Sequence, residues 1–191
     1  MKQIKKLILQ SIEGKLKLAQ DPNALVKIDV AGRLLVETLK RGHKILIAGN
    51  GGSAADSQHF AAELAGKFIY KRKGLAAIAL TANTSIITAV GNDFGYEHVF
   101  SRQIEGLGSL GDIFIGISTS GNSKNLVIAL QMARRQGLKT IGLLGSNGGE
   151  MSQHCDLSIV APSNNTQVIQ ECHILIIHIL CSLVDEDFRS S

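Results

Sequence analysis

"HKILIAGNGG", residues 43–52, is a short apolar run, Ile45 to Ala48, that breaks off in glycines, and "SAADSQHFAAEL" behind it carries apolar residues at helical spacing over about 54–67. A strand passing through a glycine turn into a helix is the unit from which parallel sheets are assembled. The same grammar recurs along the chain. "LAAIAL" (75–80) leads into a helix near 83–91, and "GDIFIGIS" (111–118) into one near 123–136. "LKTIGLLG" (138–145) leads into a short turn, and "DLSIVA" (156–161) into a long final helix. Strands alternating with helices predict an α/β fold, a parallel sheet covered on both faces in three layers. Upstream, residues 2 to about 20 place Ile4, Leu7, Ile8, Ile12, Leu16 and Leu18 near helical spacing, and a second such segment spans about 23–41. The expected organisation is one domain over 1–191, with an N-terminal helical segment (1–41) ahead of an α/β core (42–191). Within that core, "GNDFGYEHVFSRQIEGLGSLG" (91–111) reads as a loop with a short helix around 97–106.

Composition narrows the function. With 191 residues and 45% apolar content, the chain can bury one substantial core. Aromatics make up 4% and Trp is absent, which leaves little with which to stack bases. The net charge of +4 is scattered; its tight runs, Lys2, Lys5 and Lys6, and Lys71, Arg72 and Lys73, read as solvated faces, so no nucleic-acid partner is expected. Cys155, Cys172 and Cys181 form no CxxC pair and are odd in number, which suits a reducing compartment. The early "LIL" is too short for a signal peptide, and Ile174–Val184 is too short an apolar run to span a bilayer. A cytoplasmic protein without a membrane partner is expected.

Two loops hold the chemistry, because in open parallel sheets ligands bind beyond the carboxyl ends of strands. After the third strand, Ser118, Thr119, Ser120 and Ser123 sit where the chain enters a helix, whose first amides lack internal partners and carry partial positive charge. Hydroxyls without the lysine of a triphosphate-binding loop suit a compact phosphomonoester. The plainer alternative is that Ser123 caps the helix and the rest is turn. The earlier loop matches GxGxxA at Gly49, Gly51 and Ala54, yet nothing acidic lies between Phe68 and Asn92 to hold a ribose, so a nicotinamide cofactor is disfavoured. Two readings stay open for Gly51 and Gly52: they let Asn50 and Ser53 approach sugar hydroxyls, or they merely permit tight packing. In the helices, His59 and Glu63 are four apart on one face, and Gln170 and His178 share a face two turns apart. His178 lies among Ile176, Ile177, Ile179 and Leu180, so a buried structural histidine is the alternative reading there.

"GNGGSAADSQHFAAEL", "TAVGNDFGYEHVFSRQI", "GDIFIGISTSGNSKN" and "IQECHILIIHIL" together closely resemble the bacterial phosphoheptose isomerases of the sugar isomerase (SIS) fold. The resemblance implies conversion of sedoheptulose 7-phosphate to D-glycero-D-manno-heptose 7-phosphate through an enediol, the first step towards the ADP-heptose of surface glycans. It implies a homotetramer with active sites between subunits and one Zn2+ per subunit. It casts Ser118, Thr119, Ser120 and Ser123 as the phosphate loop, and Asn50, Gly51, Gly52, Ser53, Asn92 and Asp93 as sugar contacts. His59, Glu63, Gln170 and His178 fall on the zinc positions, Glu63 and Gln170 also touching substrate, and Glu63 and His178 form the acid–base pair. The same fold includes non-enzymatic regulators that bind the replication initiator DnaA, but those lack the acid and the terminal-helix histidine present here. An isomerase of another phosphosugar is the further alternative. Some relatives carry an acid where this chain has Gln167, which leaves that position without a proton-transfer role.

Overall fold

The computed structural model describes residues 1–189. Two helices, α1 (Lys2–Ala19) and α2 (Pro22–Lys40), precede β1 (Ile45–Gly49) and α3 (Gly52–Ala65). There follow β2 (Ala77–Ala79), α4 (Thr84–Phe94), a single 3-10 turn at Tyr96–His98, α5 (Ser101–Leu107), β3 (Ile113–Ser118) and α6 (Lys124–Arg135). Then come β4 (Lys139–Leu144), a 3-10 segment at Glu150–His154, β5 (Leu157–Val160) and the long α7 (Thr166–Asp187). The predicted helix around 97–106 is thus two pieces, since the chain turns between His98 and Ser101. The cap separating α1 from α2 is legible in the residues: Asp21 accepts from the amides of Asn23 and Ala24, and Pro22 opens the helix.

All five strands are parallel, in the order β2-β1-β3-β4-β5. Alternate side chains sort to opposite faces, as the pleat requires. Ile45, Ile47, Ile113, Ile115, Ile117, Ile141 and Leu143 join one core with α2, α3 and α7. Leu46, Ala48, Phe114 and Leu144 join the other, with α5 and α6. The three layers expected from sequence are therefore present. Helix α7 has the length and mean hydropathy (1.6) of a membrane span, longer than the unbroken apolar run suggests, but half of its apolar window is buried, between the sheet and α1 to α3.

The helix expected over residues 2 to about 20 is present as α1, but most of its apolar stripe lies away from the core: Ile4, Leu7, Ile8, Ile12 and Leu16 are exposed, while Gly14 and Leu18 make the buried contact. Gly14 is needed there because a Cβ would overlap Val168 of α7. Lys71-Arg72-Lys73 is not the uniformly solvated run expected from sequence, since the Arg72 side chain is 1% exposed and paired with Asp185.

The order of strands fixes where a ligand can sit. From β1 the chain moves outward to β2, then returns to the other side of β1 with β3, so the loops leaving β1 and β3 part in opposite directions. Gly49 is in register with Ile117, which sets those two loops side by side at the carboxyl edge of the sheet.

Candidate active site

At the end of β3 the hydroxyls form a small network. Ser118 Oγ lies 3.1 Å from Ser123 Oγ and 3.4 Å from Ser120 Oγ, and it accepts the Gly121 amide at 3.1 Å. Gly121 has φ +67°, and any Cβ would strike the Gly148 carbonyl, so glycine is demanded where this loop passes the 145–149 turn. Ser123 stands at the N-cap position of α6 but its side chain caps no amide. Its hydroxyl turns to Ser118, so the first amides of α6 keep their partial positive charge towards the loop. Thr119 is half-buried and Ser120 exposed.

This loop is stitched to the one after β1. The amides of Asn50 and Asn125 bond each other in both directions, at 3.0 and 2.9 Å, and Tyr96 Oη donates to Asn50 Oδ1 at 3.2 Å. Asn125, in the first turn of α6, is buried. Gly51 takes φ +55°, and Ser53 is buried. Gly52 abuts α7 so closely that an added Cβ would lie 2.5 Å from Gln170 Nε2. Asn92 and Asp93 bond each other at 2.8 Å on the exposed last turn of α4. No hydrogen bond joins those two to the loops among the described residues.

On the far side of Gln170 the acid, the imidazoles and the amide meet. His59 Nε2 is 3.0 Å from Glu63 Oε1. The His59 and His178 rings approach edge to face with centroids 5.2 Å apart, and Phe68 stacks on His178 at 5.7 Å. His178 is half-buried, whereas the fully buried histidine is His173, whose Nε2 donates to the Leu144 carbonyl at 2.9 Å. A cavity of about 410 Å³ is lined by His59, Gln170, Gln167, Glu171, Ile174 and Asp56. Asp56 is the residue the motif reading passed over. Its Oδ2 is buried without a hydrogen-bond partner, and burial raises its carboxyl pKa, with His59 pulling partly the other way. The only signal for it in the sequence is Asp-x-x-His spacing, which places it one turn before His59. Cys181, near Glu63, has its thiol pushed up to about 12 by burial and stays a neutral packing group.

Two atoms on one tetrahedral zinc stand about 3.3 Å apart, given bonds near ~2.0–2.1 Å. His59 Nε2 and Glu63 Oε1, at 3.0 Å, are close to that spacing. Imidazole and carboxylate suit the metal, and an amide is a weaker companion. Among the described residues no three His, Cys, Asp or Glu side chains stand as a closed metal cluster.

The SIS domain family matches residues 13–145 of the chain. The phosphoheptose isomerase of Sulfurimonas denitrificans is 48% identical over 97% of this chain and 95% of its own length. That of Campylobacter jejuni is 55% identical over 90% and 93%. Among solved structures, the phosphoheptose isomerase of Neisseria gonorrhoeae superposes with a TM-score of 0.89 at 41% identity, covering 97% of this chain and 98% of that one. The Francisella tularensis enzyme gives 0.91 at 37%, covering 97% of each. Sequence likeness and a shared fold, both spanning nearly the whole chain, establish that this protein belongs to the phosphoheptose isomerase family of SIS-domain proteins.

Proposed function

We propose that the chain interconverts sedoheptulose 7-phosphate and D-glycero-D-manno-heptose 7-phosphate in the cytoplasm, as the entry to ADP-heptose synthesis. The observation that carries the reading is the continuity of the site. Ser118 and Ser123 connect through the start of α6 to Asn125 and Asn50, and Gly52 of that same loop touches Gln170. Gln170 in turn shares a cavity with His59, which bonds Glu63 and faces His178. An extended sugar phosphate held at one end by the hydroxyl loop would present its other end to the acid and the imidazole, and fixing one end orients the other.

The phosphate is received by Ser118, Thr119, Ser120 and Ser123 with the first amides of α6. Asn50, Gly51, Gly52 and Ser53, with Asn92 and Asp93, meet the sugar. In the ketose-to-aldose direction Glu63 takes a proton from C1 and returns it to C2. His178 moves a proton between the oxygens on those carbons and assists ring opening. The atoms balance, since one proton leaves carbon and one returns. His59, Glu63, Gln170 and His178 are the residues that would hold one Zn2+ per subunit. When bound there, the ion supplies a Lewis acid that stabilises negative charge on the substrate oxygen. The active form is a homotetramer with sites between subunits, supported by the exposed apolar face of α1 and by α4, none of whose residues is buried. The presence of both Glu63 and His178, side by side with His59, favours the enzyme over a replication regulator of the same fold.

The test offers purified protein sedoheptulose 7-phosphate, with and without a chelator, beside Glu63→Gln and His178→Gln. Turnover by the parent and a fall of at least about a hundredfold in both folded variants support the assignment. Loss of rate on chelation, restored by zinc, supports the metal. Activity confined to a pentose phosphate would redirect the substrate, and inactivity towards every phosphosugar would favour the regulator.

A further inference from the structure

The segment joining α3 to β2, residues 66–76, carries a buried ion pair that none of the motifs includes. Arg72 and Asp185 have side chains 1% and 0% exposed, with Arg72 Nε bonded to Asp185 Oδ1 at 2.5 Å. Nearly every polar atom of the pair is engaged. Arg72 Nη2 donates to the Glu63 carbonyl at 3.0 Å. Its Nη1 donates to the carbonyls of Leu64 at 2.9 Å and Lys73 at 3.1 Å. The other carboxylate oxygen, Asp185 Oδ2, accepts the amides of Ile69 at 2.7 Å and Tyr70 at 2.8 Å.

The placement of these bonds is informative. Glu63 and Leu64 lie in the last turn of α3, where carbonyls have no intrahelical donors, and a cation is favoured there. Asp185 is seven residues beyond His178, two turns along the same face of α7. The loop pinned between them carries Phe68, whose ring lies against His178. One guanidinium thus holds the main chain of the acid. Through Asp185 and the Phe68 loop it holds the helix of the imidazole as well.

We propose that Arg72 and Asp185 are positioning residues of the isomerase site, setting Glu63 and His178 in proton-transfer register without touching substrate. The inference rests on the isomerase reading. It turns on geometry more than on charge: a guanidinium offers a rigid planar fork of five N–H donors, whereas lysine offers the same charge as a single rotating point. Lysine at this position can keep the pairing with Asp185 but cannot reach the Glu63 and Leu64 carbonyls in the same arrangement. The end of α3 is then free to shift, and displacements near an ångström at a reacting group cost on the order of a hundredfold in rate.

The experiment is steady-state kinetics on sedoheptulose 7-phosphate for the parent, Arg72→Lys and Asp185→Asn, as full-length assembled protein, with circular dichroism and melting temperature as controls. In variants with the parental spectrum, kcat is expected to fall about ten- to a hundredfold while KM stays within about threefold, because the phosphate loop hangs from β3 and α6 and is untouched. The pH–rate profile and the His178 ring resonances should move as well. A merely structural pair would lower the melting temperature and leave kcat, the profile and those resonances as in the parent, and that result overturns the inference. If Arg72→Lys does not fold, Asp185→Asn, which leaves the guanidinium on the α3 carbonyls, answers to the same criteria; failure of both to fold overturns a positioning role as distinct from a folding one. A parent inactive on this substrate would sink the isomerase reading, and the inference with it. An active parent with unaltered variants sinks the inference alone.

Discussion

Three single positions show how closely the site is built into the backbone. At Gly52, alanine would push a methyl to 2.5 Å from Gln170 Nε2, the mobile end of a flexible side chain, so the amide can yield. Gly52→Ala is therefore expected to fold with a melting temperature near that of the parent and to lose kcat, read by turnover, and to bind zinc more weakly than the parent in metal titration if Gln170 is the ligand proposed above. Gly121 differs, since its methyl would meet the backbone carbonyl of Gly148 at φ +67°, and neither can yield. Gly121→Ala should cost at least ~2 kcal/mol in urea denaturation and raise the KM for the sugar phosphate. Asp56 carries a stability penalty at neutral pH. Burial raises its pKa above the unfolded value of 3.8, so the folded state binds the proton more tightly, and stability falls as pH climbs through and beyond that value. Asp56→Asn should raise the melting temperature at pH 7, an advantage that shrinks as the pH approaches 3. Sequence exposed the glycines and the hydroxyls because turn chemistry is local. For Asp56 it offered only the spacing to His59 and no sign of burial, and for the Arg72–Asp185 pair, 113 positions apart, it offered nothing.

Among elements, α7 ties the two ends of the site together. It sends Gln170 to the glycine loop and His178 to His59, the partner of the acid, and its own position over the sheet is fixed by His173, bonded to the last carbonyl of β4. Burial lowers the pKa of His173 below 6.5, only partly countered by the Leu144 hydrogen bond, and its Nδ1 has no partner. The unfolded chain then takes up a proton that the folded chain refuses. Stability from this residue is complete above the unfolded value and declines as pH falls below it. Melting temperatures from pH 8 to 5 should show that decline in the parent, and a flatter profile in His173→Gln on a lower baseline. The strands β1, β3, β4 and β5 were legible as apolar runs, and α2, α3 and α6 as periodic segments, since buried parallel strands and core-facing helices write their burial into composition. Helix α1 was legible by the same periodicity. Its apolar residues are real, but they answer to something other than this chain's core.

That mismatch gives the whole molecule a second apolar surface. Ile4, Ile8, Ile12 and Leu16 recur at helical spacing and are exposed by 64, 55, 46 and 54% respectively, with Leu9 beside them, while the opposite side of α1 packs on α7. A helix apolar on two sides is buried on both. A row of this size is also more than a monomer ordinarily leaves in water. The occupant that fits is another copy of the chain, because the isomerase reading calls for an oligomer and because α4, which carries the candidate sugar contacts Asn92 and Asp93, is likewise without a buried residue. Replacing Ile8 and Ile12 together with lysine leaves Gly14 and Leu18, the buried residues of α1, in place, so the protomer should keep its circular dichroism. Light scattering should then report a species smaller than the parent, and turnover should fall with it if neighbouring subunits complete each site. A double variant that scatters like a tetrameric parent would remove α1 from the interface, and a parent that is monomeric at micromolar concentration would dismiss the assembly altogether.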